Sequence, residues 1–207
     1  MKVIMKRFFR KIFAMFSCVN ATDMITIDEN GFWVNRKYPS NSIKKTAKIF
    51  NELNGEIIIE IGTGLHGEMA GNSMLVWPLK TKATRIIAVD LDQNRLDEVR
   101  KATSPYAHVE TILTDGIEFL KRFPTKIDLL YLDFWTPDPV GSLPGTGRAE
   151  AYRAAYIAAR DKMNDHSLIL IDDTDHIHPW KHTYIIPEAR KDGFEVLYTG
   201  RQSLLKR

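Results

Sequence analysis

Six acids and three glycines carry most of the chemical potential of this sequence. The stretch EIGTGLHG sets Glu60 directly ahead of Gly62, Gly64 and Gly67. Glycine at that G-x-G-x-x-G spacing lets a chain turn tightly and brings its N–H groups close to a ligand. Turns collect glycine anyway, so the motif gains force only from its surroundings. Asp90 closes IIAVD further along, at the place where a strand-end carboxylate can accept from two ribose hydroxyls. Asp115 and Gly116, in LTDGIEF, offer an acceptor to an adenine amino group, and the aspartate can equally cap a helix. These residues point to an adenosine-bearing cofactor. Glu60 bears on which one: a carboxylate beside a pyrophosphate repels it, whereas S-adenosylmethionine has no phosphate and carries a sulfonium and an ammonium. A nicotinamide dinucleotide bound by an oxidoreductase is the alternative that the glycines alone also satisfy.

A second group of acids lies downstream. Asp133 follows IDLLYL, and Asp172 and Asp173 follow LILI. If these apolar runs are adjacent strands, about 4.8 Å apart, the three carboxylates converge at their carboxyl ends. Such a group repels itself unless one member is protonated or a cation joins them. A hard divalent ion with oxygen ligands, Mg²⁺ above all, resolves the repulsion, lowers the pKa of a bound substrate oxygen and aims it. A metal-dependent hydrolase could use the same acids, but it leaves Asp90 and the glycines without a purpose. In DTDHIHPWKH, His176 is the candidate base, with His178, Lys181 and His182 nearby, since imidazole titrates near working pH. His-x-His followed by a third histidine also suits a transition metal. The Pro- and Gly-rich FWTPDPVGSLPGTGR follows Asp133, so that Trp135 can wall a pocket for a flat molecule or simply sit on a surface loop.

The elements that would position these groups are legible. Apolar strands are expected at 57–61, 85–90, 108–113, 127–133 and 168–172, alternating with helices near 68–76, 93–102, 116–123 and 149–163. The last helix presents Tyr152, Ala155, Tyr156, Ala159 and Met163 at helical spacing to the core. Upstream, ITIDENGFWV alternates around Asn30-Gly31, a dipeptide of tight hairpin turns. Ser40 or Asn41 then caps a helix running to Leu53, which Gly55 closes. Strand–helix alternation builds a parallel sheet covered on both faces. FEVLYTGRQSLLKR departs from it: two strands with so short a connection can only be antiparallel. The expectation is a doubly wound α/β fold, mostly parallel, ending in an antiparallel hairpin.

With 207 residues and 44% hydrophobic content, the chain suffices for one well-buried domain. Its division is read as a segment 1–20, a hairpin and helix over 21–55, and a cofactor-binding domain over 56–207. The net charge of +3 misleads, because five of the 29 basic residues fall in 1–20, which holds no acid. The remainder is slightly acidic, so nothing indicates a globally basic nucleic-acid binder. Lone Cys18 excludes an internal disulfide and fits a reducing, cytoplasmic compartment. In MKVIMKRFFRKIFAMFSCV the bases and the apolar residues take opposite halves of a helical wheel. Packing against the domain or a partner, peripheral contact with an anionic membrane and a signal peptide remain open for it.

Taken in order, the chain over roughly 40–207 resembles the class I S-adenosylmethionine-dependent methyltransferases. The resemblance rests on EIGTGLHG, AVD, TDGIEF, IDLLYLDFW, LILIDD and the closing hairpin. It implies a seven-stranded sheet whose last strand is antiparallel, with Glu60, Gly62, Gly64, Asp90 and Asp115 at the cofactor. The acids at Asp133, Asp172 and Asp173 are similar to the ion-binding positions of the metal-dependent, catechol-type O-methyltransferases, which implies transfer to a hydroxyl of a small molecule. That group commonly has asparagine at the position of Asp173, and a lysine close behind the first acid, where this chain has Phe134-Trp135. DFWT also lacks the Asp/Asn-Pro-Pro-aromatic signature of enzymes that methylate base amino groups.

Overall fold

The computed structural model describes residues 25–27, 33–35, 39–65, 72–176 and 179–207. The segment 1–20, the turn at Asn30-Gly31, Gly67 and His178 lie outside the described residues. β1 (Ile25–Ile27) and β2 (Trp33–Asn35) pair antiparallel, as the alternating pattern requires. α1 (Pro39–Glu52) begins ahead of Ser40 and Asn41, which therefore lie in its first turn rather than capping it. Its end also differs from expectation. Asn54 takes the left-handed conformation, with φ of 55°, and Gly55 is needed because a Cβ there would stand 2.3 Å from the Phe50 ring.

Seven further strands form one sheet. β3 (Ile57–Ile61), β4 (Arg85–Asp90), β5 (Val109–Leu113), β6 (Ile127–Leu132) and β7 (Met163–Ile171) are joined by β8 (Glu195–Tyr198) and β9 (Ser203–Lys206). The order across the sheet is β5-β4-β3-β6-β7-β9-β8. The first five run parallel, and β9 is antiparallel to both its neighbours. Strand order reverses between β3 and β6, which is where such sheets open a crevice at their carboxyl ends. β7 starts five residues earlier than its apolar run, because the polar Asn164, Asp165 and His166 prolong it beyond the core.

Helices cover both faces. α1, α2 (Ser73–Lys80) and α3 (Gln93–Ala102) bury Phe50, Trp77 and Val99 with Ile58, Ile86 and Leu129. α4 (Gly116–Arg122), α5 (Thr146–Ala159) and α6 (His182–Lys191) bury Leu120, Tyr156 and Ile185 with Ile59, Ile87 and Ile169. The side-chain period of two along β3 thus sends Ile58 and Glu60 to one layer, Ile59 and Ile61 to the other. α2 starts at Ser73 rather than near 68, because Asn72 is left-handed, with φ of 42°, and no right-handed helix can run through it. α5 ends at Ala159, a single 3₁₀ turn spans Arg160–Lys162, and Met163 is buried as the first residue of β7. α6 is absent from the sequence reading because Pro187 sits inside it, where a proline ordinarily breaks a helix. Buried Ile185 and Ala189 hold it in place.

Candidate functional site

Ladder bonds set the two groups of acids at the same end of the sheet. Gly62 N–H donates to Val89 O at 2.9 Å, Asp133 N–H to Ile61 O at 2.9 Å, and Asp172 N–H to Leu132 O at 3.1 Å. Each residue is therefore the first beyond its strand. Gly62 has φ of 79°, and a Cβ on it would stand 2.5 Å from Asp133 O and from the Phe134 backbone. Glycine here is imposed by the neighbouring strand end. Gly116 has a packing reason of its own: its Cβ would meet Ile61 Cγ2 at 2.1 Å, so its absent side chain lets α4 pack on β3. Gly64 lies in the turn itself, partly exposed.

Asp90 faces that turn. Its Oδ2 accepts from Thr63 N–H at 2.8 Å and its Oδ1 from Asp92 N–H at 2.8 Å. Exposed Leu91 and Leu113, 72% and 53% open, flank the same strand ends; the sequence reading passed over both. Asp115 caps α4 by accepting from Glu118 N–H at 2.9 Å, and remains exposed. Glu60 sits below the turn at 1% exposure. Its Oε1 accepts from Thr63 Oγ1 at 3.0 Å and Ser73 Oγ at 2.9 Å, its Oε2 from Trp77 Nε1 at 2.9 Å. Both oxygens thus serve protein donors, and Glu60 props the turn from inside rather than lining its open side. Burial pushes its pKa up to about 7 against the pull of those three donors.

The second group converges as its sequence predicts. Ligand oxygens of Asp133, Asp172 and Asp173 all lie within 4.8 Å of one another, the one such cluster of potential metal ligands among the described residues. Consecutive strand residues would point apart, but Asp173 has φ of 53°, and the left-handed turn folds it back toward Asp172.

What compensates these charges is protein. Lys181, 4% exposed, sets its Nζ 3.2 Å from Asp133 Oδ1 and 2.9 Å from Asp173 Oδ2. Arg201 pairs with Asp173 Oδ1 and lies 4.0 Å from Asp172 Oδ2. Gln202 Nε2 donates to Asp172 Oδ1 at 2.6 Å and to Tyr131 Oη at 2.9 Å, and Tyr131 Oη reaches Asp133 Oδ2 at 3.5 Å. Burial raises Asp133, partly offset by Lys181; Asp172 is raised further, by burial and by the charges of both its neighbours. Burial alone would lift Asp173 too, but Lys181 and Arg201 hold it below the ordinary carboxylate range. Burial disfavours the Lys181 ammonium, yet the three carboxylates outweigh that and raise its pKa.

This set does not fit Mg²⁺. Both oxygens of Asp173 and one of Asp133 already face a cation, and Asp172 accepts from the Gln202 amide. Lys181 already bridges Asp133 and Asp173, so a divalent ion among the same carboxylates would meet a like charge, and Mg²⁺ would also have to shed water, which it does reluctantly.

His176 lies at the rim, its side chain 48% exposed and its Nε2 4.0 Å from Asp175 Oδ1, with its ring stacked on Trp180 at 4.5 Å. It belongs to none of the carboxylate contacts above. The loop after Asp133 is tied down: Asp138 accepts from Gly145 and Gly147 N–H at 2.8 and 2.9 Å and pairs with Arg148 at 3.0 Å. The Arg148 guanidinium lies 4.9 Å from the Trp135 ring and 4.8 Å from that of Trp180, leaving Trp135 68% exposed. Lys181 was expected only near the candidate base His176, and Arg201, Gln202 and Tyr131 were not assigned to the site by the sequence reading. A faint signal existed for two of them: an Arg-Gln pair in the turn of the terminal hairpin, where both side chains could reach a sheet end.

No family model matches the chain, and no curated protein matches it. Solved structures do. The methyltransferase PaMTH1 of Podospora anserina, in its SAH-bound form, superposes with a TM-score of 0.55 at 17% identity over 81% of this chain and 76% of that one. A putative rRNA methylase of Clostridium thermocellum gives 0.58 at 12% identity, over 83% and 97%. The N-methyltransferase NodS of Bradyrhizobium japonicum gives 0.52 at 12%, over 82% and 96%. At these identities the likeness is one of fold: the seven-stranded sheet with its antiparallel terminal hairpin. No described helix is long and apolar enough to cross a membrane.

Proposed function

We propose that the chain is an S-adenosylmethionine-dependent methyltransferase acting on an oxygen of a small molecule. The observation that carries the reading is the carboxylate of Asp90, which addresses the same turn that the glycines keep bare. Ribose hydroxyls would donate to Asp90, a flat adenine would lie between Leu91 and Leu113, and Asp115 would accept its amino group. Glu60 would stabilise the turn from beneath. When bound, the cofactor supplies an electrophilic methyl group. The fold neighbours support this end of the site, since the Podospora anserina enzyme is described with SAH. Nicotinamide binding is less well served, because Glu60 would repel a pyrophosphate.

The acceptor end must be argued from this chain, for the neighbours' own names speak of rRNA and of an N-methyltransferase. Asp133 is about one-third exposed and is raised by burial, which suits it to accept the hydrogen of an incoming hydroxyl. The open face of Trp135 would stack a planar acceptor. His176, at the rim, is the second candidate to accept that hydrogen. Calorimetric titration with S-adenosylmethionine and with NAD tests the cofactor assignment. Binding of the former and not the latter is expected, with methyl transfer to a panel of hydroxylated small molecules but not to RNA; binding of NAD alone would refute it.

A further inference from the structure

We infer that Lys181 stands in for a divalent ion, so that this site orders its three carboxylates and its acceptor without metal. The inference deepens the proposed methyl transfer and rests on it for its catalytic meaning, though not for its geometry. Lys181 reaches the cluster from the start of α6, a different element from any that carries the acids. Its Nζ bridges Asp133 and Asp173, while its stem lies against the Tyr152 ring, 5.4 Å from Nζ to the centroid. Tyr152 in turn donates to Phe134 O at 2.9 Å and stacks on the Phe134 ring at 4.4 Å. The ammonium is therefore held between two strand ends, at Asp133 and Asp173, and the Tyr152 ring.

The partners of the acids agree. Lys181 lies against Asp133 and Asp173, Arg201 against Asp173, and the Gln202 amide serves Asp172. A dication would have to displace these partners. The consequence reaches the substrate. A metal-bound acceptor is selected by its ability to chelate, usually through two adjacent oxygens, whereas here a single hydroxyl meeting Asp133 suffices. Lys181 acts through Asp133 and Asp173 and is a positioning residue.

The test is direct binding of Mn²⁺ as a spectroscopic probe, followed by electron paramagnetic resonance on the full chain. The wild-type protein should show no saturable site at millimolar Mn²⁺, and EDTA should leave its melting temperature unchanged. Lys181→Met, stripped of the internal cation, should gain one Mn²⁺ per chain, and Lys181→Arg should not. One equivalent bound by wild type and lost in Asp173→Asn would overturn the inference, as would a folded Lys181→Met that gains no site. If Lys181→Met does not fold, the wild-type titration decides. S-adenosylhomocysteine titrated into the same samples separates the two claims: its failure to bind would defeat the methyltransferase reading and leave the metal result standing.

Discussion

The two halves of the crevice satisfy their carboxylates by opposite means. Around β3 and β4 the donors are neutral: backbone N–H groups serve Asp90, while two hydroxyls and an indole serve Glu60. Around β6, β7 and β9 the partners include full charges, Lys181 and Arg201. Neutral donors serve an acid without an opposite charge, so the first half holds no internal counter-ion among the described residues. Internal cations take the place of an external ion in the second half, where Lys181 and Arg201 face the three acids. The halves touch where Trp77, the donor to Glu60, meets Tyr131 edge-on at 5.9 Å.

The largest break in that comparison should come from the charged half. Removing one partner of a buried ion pair leaves an unpaired charge, so Lys181→Met should lower unfolding stability by about 3–5 kcal/mol in urea titrations. Loss of less than about 1 kcal/mol would mean that the carboxylates are compensated elsewhere.

Glu60 tests the neutral half. Glu60→Leu strands the Trp77 N–H and two hydroxyls and should cost about 2–3 kcal/mol, while Glu60→Gln keeps an acceptor for Trp77 and should stay within about 1 kcal/mol. The pH dependence follows with a definite sign. The folded pKa of about 7 lies above the ordinary value of 4.5, so the folded protein holds a proton that the unfolded chain has released. That contribution is complete below pH 4.5 and fades as the pH rises to about 7, by up to on the order of 3 kcal/mol. In Glu60→Gln that slope should vanish; a slope identical to wild type would assign it to other groups.

The smallest effect is the sharpest discriminator. Asp90→Asn should weaken S-adenosylhomocysteine binding about tenfold, roughly 1.4 kcal/mol, with little change in unfolding stability. Asp133→Asn should leave that affinity within about twofold. Equal losses in both variants, measured calorimetrically, would erase the division between the halves.

Much of this was legible in the residues before any coordinates. β3 and β4 fall on their apolar runs, because a strand buried on both faces is mostly apolar; Asp90 marks the exit of β4, while Glu60 is buried within β3. The short link between β8 and β9 admitted only an antiparallel pair. Convergence of Asp133 with Asp172 and Asp173 followed from strand adjacency. Such features are local or follow from a period, and a period survives in one dimension.

Tertiary structure decided the partners. Nothing in the spacing shows that Lys181, from a helix interrupted by Pro187, would reach the carboxylates before a metal could, or that Arg201 and Gln202 would arrive from a hairpin at the end of the chain. Nor could the spacing say that Gly62 and Gly116 yield to a neighbouring backbone and to Ile61, respectively, rather than to a ligand. Charge compensation and close approach depend on distance in space, and residues remote along the chain meet only once the sheet has brought its strand ends together.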